Sequence, residues 1–261
     1  MANQNYRLIW FQHFHKAGGT SVINLAQKNG ETFYPKHRNG NPVNKRDKLM
    51  KFGEYSEERL RAFIDKCEQQ GITLISTEWQ LPKIDVLASD SRVILVTCLR
   101  HPLKRFVSNF YYDLYLGTTK ARKLEDYAGS KKGEYAMFNY YSRILSRHNR
   151  DPQDLTDKQF SQAIQALQKF DCCLILENGF EALRQCLGWQ FTHMHANHSP
   201  AWFSPRHIAH LIQRKRYQAI FLGMLHPKRQ PSQEFVEEFN TKNHWDLRLY
   251  AETLKQYSGL S

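Results

Sequence analysis

The chain reads as an α/β protein with a central, mainly parallel sheet flanked by helices. Three observations predict this. Leu8–Phe14 is an apolar strand running into a glycine turn. Arg92–Leu99 is a nearly continuous apolar run, of the kind a parallel sheet covers on both faces. Helical patterns separate these from the short apolar strand Cys172–Leu176. The 261 residues fit one domain, 1–261.

Taken in order, the first strand leads through Gly18 and Gly19 into a helix over about Ser21–Asn29. Residues 34–53 are polar and basic with two glycines and two prolines, which predicts a substrate-side loop. Ser56 is placed to cap a helix that acidic residues open and Gly71 stops, with Leu60, Phe63, Ile64 and Cys67 as its apolar stripe. Ile72–Thr77 is a β-branched strand ending at Glu78 and Trp79. After Arg92–Leu99, Pro102 suits the first position of a helix running past Tyr112. The lysine-rich stretch from Gly117 to Gly133 reads as exposed surface, and 113–135 as a second substrate-side loop. Helices follow over about 139–148 and 157–170. Cys172–Leu176 ends at Glu177, a helix reaches Leu187, another begins at Ser204, and a last one spans Ser232–Tyr257.

Composition narrows the function. Apolar residues at 41% exclude a disordered chain, and a net charge of +12 with a pI near 9.5 favours an anionic partner. Five cysteines form no CxxC pair and read as small buried groups in a reducing compartment. The histidines include no HExxH; His193, His195 and His198 form the one dense cluster, and no metal site is expected. With no leader pattern and no apolar run near the ~20 residues of a membrane span, a cytoplasmic, bacterial protein is expected.

Two segments carry chemistry. In His13-Phe14-His15-Lys16-Ala17-Gly18-Gly19-Thr20-Ser21 a strand meets a helix N-terminus through a lysine-bearing glycine turn, an arrangement that points backbone N–H groups and a positive charge at an anion. The lysine precedes the glycines, so this is not the triphosphatase G-x-x-x-x-G-K-[ST]. The second segment places Arg100 at the end of the best strand, with Ser108 about two helical turns along the next helix. Ligands of parallel α/β sheets bind beyond such strand ends, where Glu78 and Glu177 also fall. Each segment alone also reads as an ordinary strand-to-helix turn.

Together they resemble the sulfotransferases. The first is similar to the 5′-phosphosulfate loop of that family, and Arg100-His101-Pro102-Leu103-Lys104-Arg105-Phe106-Val107-Ser108 to its 3′-phosphate motif, Arg-x-Pro-x-x-Arg-x-x-Ser. Asn109-Phe110-Tyr111-Tyr112 and Asn139-Tyr140-Tyr141-Ser142-Arg143-Ile144-Leu145 resemble the carbohydrate-sulfating branch, which includes the heparan sulfate 2-O- and galactose 3-O-sulfotransferases. The resemblance implies a P-loop-NTPase-like sulfotransferase fold. It also implies transfer from 3′-phosphoadenosine 5′-phosphosulfate (PAPS), without a metal, to a sugar or glycan hydroxyl, possibly an acidic one, with no nucleic-acid partner. Lys16 would neutralise the departing oxygen; Ala17, Gly18, Gly19, Thr20 and Ser21 would hold the 5′-phosphate; Arg100 and Ser108, with Asn197 and Ser199, complete the donor site. Glu78 stands where that branch carries its base. Burial beside Trp79 would raise its pKa and nearby cations would pull it back, and His15 and His13 compete for the role.

Two other functions are open to these residues. A kinase-like phosphotransferase predicts a Walker lysine and a magnesium-holding acid after the glycine turn, and neither is present. A non-catalytic module binding nucleic acid or another anionic polymer accounts for the charge but not for two strand-end motifs.

Overall fold

The computed structural model describes residues 6–78, 80–148, 155–193 and 228–257, with 208, 209, 212, 213, 217, 220, 221, 225 and 226. Its centre is a four-stranded, all-parallel sheet. β1 (Leu8–His13) leads to α1 (Gly19–Lys28) and a small hairpin, β2 (His37–Arg38) and β3 (Asn41–Pro42). There follow α2 (Glu57–Gln69), β4 (Leu74–Thr77), α3 (Ile84–Ala88), β5 (Val93–Leu99) and α4 (Pro102–Tyr115). Beyond them lie α5 (Leu124–Ala128), α6 (Lys131–Met137), α7 (Tyr140–Leu145), α8 (Asp157–Leu167), β6 (Cys172–Ile175) and α9 (Ala182–Leu187). The last described helices are α10 (Gln233–Lys242) and α11 (His244–Tyr257).

The sheet order is β4-β1-β5-β6. From β1 the chain moves outward to β4 on one side, then crosses back to β5 on the other, so the order reverses between β1 and β5. In open α/β sheets that reversal leaves a crevice beyond the strand ends. Period-two alternation splits the core in two. Leu8, Trp10, Leu95 and Leu99 face the cluster with α2, α3, α7, α8 and α11, whereas Ile9, Phe11, Val96 and Cys98 face the cluster with α1 and α9. A third cluster joins α4, α5, α6 and α10 through Phe106, Tyr127, Met137 and Phe239.

The structure corrects several expected boundaries. α1 starts at Gly19, not Ser21. The final helix is two, because Asn243 breaks it and turns its side chain to the backbone of Phe239 and Asn139. Residues 113–135 are not a bare loop: they hold the end of α4, α5 and part of α6, and the fully buried Tyr127 donates to Asp113 at 2.6 Å. The 34–53 segment is equally built. Asn39 and Gly40 both take positive φ, the tight-turn geometry of a two-residue hairpin, and Gly40 O accepts from Ser76 N at 3.0 Å. The start of the helix expected from Ser204 lies outside the described residues, whereas residues 208, 209, 212, 213 and 217 are described and helical.

α7 is held from a distance. Asp246 on α11 accepts the N–H groups of Tyr141 and Ser142, at 2.9 Å each, and the Ser142 hydroxyl at 2.8 Å. A carboxylate thus satisfies the buried, otherwise unpaired donors of a helix start more than a hundred residues earlier in the chain. Asp246→Ala leaves three buried donors unpaired and is expected to cost about 2–4 kcal/mol. Urea unfolding with an unchanged m-value measures this; a change below ~0.5 kcal/mol contradicts the assignment.

Candidate functional site

The turn after β1 is shaped by contacts that only small residues allow. Gly18 has φ +83°, and a β-carbon there would lie 2.8 Å from Leu176 Cδ1. At Gly19 a β-carbon would meet the His13 imidazole at 2.2 Å from Nε2. The His13 ring therefore lies directly under the start of α1. Lys16 takes φ +66°, uncommon for a residue with a side chain and a form of strain that gathers at functional sites. Thr20 is exposed and Ser21 half-buried at the mouth of the helix.

Arg100 follows β5, the strand beside β1. Its backbone N–H donates to the Tyr141 hydroxyl at 3.0 Å, and that hydroxyl donates to Arg100 O at 2.9 Å. The guanidinium donates to Lys16 O at 3.4 Å, so the two sequence segments meet at the point where the strand order reverses. The Lys16 ammonium lies 4.2 Å from the centre of the Tyr112 ring. Burial, with the charges of Arg100 and Lys228, lowers the Lys16 ammonium to about 8. Burial also lowers Arg100, and burial with the charge of Arg100 lowers Lys228. Lys16 and Arg100 thus share one partly desolvated space, with the charge of the exposed Lys228 reaching into it and Glu177 offsetting part of the Arg100 charge.

The remaining motif residues divide. Ser108 is half-buried on α4. Arg105, the motif's second arginine, is 1% exposed and stacks 4.0 Å over Tyr140, so it belongs to the core. Glu177 accepts the His101 N–H at 3.2 Å and the Tyr250 hydroxyl at 3.0 Å, which seats it at the start of α4. Asn197, Ser199 and Trp79 lie outside the described residues, as do His195 and His198. Among the described residues no group of three or more His, Cys, Asp or Glu could hold a metal ion.

Glu78, His15 and His13 form a second group. His15 Nδ1 lies 2.7 Å from Glu78 Oε1, and His13 Nδ1 lies 3.6 Å from the same oxygen. Burial pushes the Glu78 carboxyl up, but the His15 hydrogen bond and the charges around it outweigh burial and hold it below its ordinary value. Both effects expected from the sequence act on Glu78, and the second prevails. Burial lowers His13 to about 4, so at neutral pH it is uncharged and its approach to Glu78 is no ion pair. A charged carboxylate can only accept a hydrogen bond, so His15 Nδ1 carries a proton toward Glu78. Sequence reasoning had set Glu78 and His15 against each other; the structure joins them.

A cleft of about 410 Å³ opens beside this pair, lined by Arg38, Asn41, Lys48, Lys51, Thr77 and Glu78 among others. It lies between the β2–β3 segment and the end of β4. Lys228 went unnoticed in the sequence because no periodic pattern surrounds it. Its placement comes from Tyr111 and Tyr115, one turn apart on α4, whose hydroxyls bond Arg229 N at 2.6 Å and His226 O at 3.1 Å.

Fold and site define an α/β protein with a cation cluster at its sheet reversal and a histidine–carboxylate pair beside it. No family model matches this chain, and no curated protein matches it.

Because the Lys16 pKa is lowered on folding, its charge opposes folding fully below pH 8, and the opposition fades between pH 8 and 10.5. Lys16→Met is therefore expected to stabilise the ligand-free protein at pH 7 by about 1–3 kcal/mol, less at pH 10. Urea unfolding at both pH values measures this, and a destabilised variant at pH 7 contradicts the charge crowding.

Proposed function

We propose that this chain is a sulfotransferase that moves the sulfuryl group of PAPS to an acceptor hydroxyl, on a sugar or glycan. The observation that carries the reading is the meeting of Lys16 and Arg100, from adjacent strand ends, at the sheet reversal. A nucleotide bearing phosphates at both 5′ and 3′ positions needs anion contacts from two places at once. Lys16 and Arg100, both partly desolvated, gain from an anion that enters between them. Gly18 and Gly19 leave the backbone open to close approach.

The donor supplies a sulfuryl group on a phosphate leaving group. The chain's own residues position and stabilise charge, as in phosphoryl transfer. Lys16, the N–H groups at Gly18, Gly19 and Thr20 and the Thr20 and Ser21 hydroxyls hold the 5′ side, and Arg100 with Ser108 the 3′-phosphate. His15 Nε2 takes the proton of the acceptor hydroxyl, while Glu78 fixes the ring and stabilises the imidazolium. The adjoining cleft admits a sugar, and its Arg38, Lys48 and Lys51 suit an acidic one. The five free cysteines fit the reducing cytoplasm. Among the described residues no helix is long and apolar enough to cross a membrane.

Thermal-shift titration tests donor binding. Adenosine 3′,5′-bisphosphate is expected to raise the Tm and ATP with magnesium to leave it unchanged; the reverse pattern contradicts the reading. Above pH 8 the affinity for the bisphosphate is expected to fall by up to ~tenfold per pH unit, because Lys16 must regain its proton to bind. A flat profile from pH 7 to 10 removes Lys16 from the site.

For the base, Glu78→Gln and His15→Ala are each expected to lower kcat about 10²-fold with bisphosphate affinity unchanged. The double variant is expected to lose little more than His15→Ala alone, since the two act as a unit. Strictly multiplicative losses, or normal turnover in Glu78→Gln, contradict the pairing.

A further inference from the structure

Tyr112 on α4 is 41% exposed, and the third core cluster takes in its neighbours Tyr111 and Tyr115 but not Tyr112 itself. It lies one turn beyond Ser108, on the same side of the helix. Two contacts tie its ring to the site. The Lys16 ammonium stands 4.2 Å from the ring centre. The His15 imidazole meets the ring nearly edge-on, with 5.3 Å between centres and 74° between planes.

Side chains of adjacent residues in an extended chain point to opposite faces. Here Lys16 takes the left-handed backbone, with φ +66°, and both His15 and Lys16 reach one ring on α4. Other groups hold the rest of each residue. Arg100 donates to Lys16 O at 3.4 Å, Tyr140 accepts from His15 N at 3.3 Å, and Glu78 lies 2.7 Å from His15 Nδ1. None of these bonds reaches the Lys16 ammonium, and the Tyr112 ring does. Attraction between a cation and an aromatic face strengthens as water is removed, and Lys16 is half-buried.

We infer that Tyr112 is a positioning residue, whose ring holds the Lys16 ammonium and the His15 imidazole at a fixed separation. In-line transfer needs that separation: Lys16 stands at the departing oxygen, His15 at the attacking hydroxyl, and a misplacement of about 1 Å costs up to ~10²-fold in rate. The part played in catalysis rests on the proposed sulfotransfer; the placement of the two side chains by the ring does not. Both contacts are made by the ring and not by the hydroxyl, so Tyr112→Phe preserves them and Tyr112→Leu removes them. Leucine forms helix better than tyrosine, and the position is exposed, so the leucine variant retains the fold.

The test compares wild type, Tyr112→Phe and Tyr112→Leu by NMR of labelled lysine and histidine side chains. Turnover is followed as adenosine 3′,5′-bisphosphate released from PAPS with a panel of oligosaccharides. Nuclei above an aromatic face are shielded. The Lys16 methylene signals are therefore expected upfield of the other lysines in wild type and Tyr112→Phe, and at the ordinary lysine position in Tyr112→Leu, where the His15 ring signals also move. In Tyr112→Leu kcat is expected to fall about 10–100-fold, with Tyr112→Phe within about threefold of wild type and bisphosphate affinity within about threefold in both. A wild-type chain that turns over no PAPS defeats the sulfotransfer reading, and the NMR signals alone then decide the placement. Lys16 signals at the ordinary position in wild type, full turnover in Tyr112→Leu, or Tyr112→Phe as slow as Tyr112→Leu overturns the inference.

Discussion

The site depends on one electrostatic constraint: Lys16 and Arg100 are brought together where burial already penalises charge, and the charge of the exposed Lys228 adds to it. Like charges in such a space repel, and the protein holds them there with rigid scaffolding. Arg100 is fixed at its backbone by the Tyr141 hydroxyl, which serves as both donor and acceptor. Lys16 is fixed by a left-handed turn between His15 and Gly18. Lys228 arrives on a segment tied to Tyr111 and Tyr115. Folding therefore holds Lys16 and Arg100 together at an electrostatic cost, offset in part by Glu177 and Glu78.

The scaffolding reaches further than the site. Tyr140 and Tyr141 lie on α7, whose first turn Asp246 secures. The Tyr140 hydroxyl accepts from His15 N at 3.3 Å, so the same short helix touches both the histidine and the arginine. Phe14 packs edge-on against the Tyr141 ring at 5.0 Å, joining this helix to the end of β1. Positions at the reversal of the sheet are therefore set by tertiary contacts, with the local turns providing only the rough direction.

That division explains what the sequence could reveal. β1 and β5 were legible because their apolar runs are long and their turns carry glycine or proline. Gly19 was legible as a turn residue, yet its neighbour His13, whose ring occupies the space of a side chain, was not. The pairing of His15 with Glu78 joins residues just past the ends of β1 and β4, and no local spacing encodes it. In 113–135 the exposed lysines masked Tyr127 and the close approach of Gly133 to the Tyr127 carbonyl, so helices read as loop. Lys228 carries no periodic signal; tyrosine hydroxyls on α4 hold its neighbours His226 and Arg229.

The central claim concerns Lys16, and its own titration addresses it most directly. Isotope labelling of the lysine side chains, with Lys16→Met to assign the signal, allows NMR to follow its ammonium against pH with and without adenosine 3′,5′-bisphosphate. The account predicts a pKa of about 8 in the ligand-free protein and a clear rise when the bisphosphate binds. An ordinary lysine value in the free protein, unmoved by the bisphosphate, would contradict it.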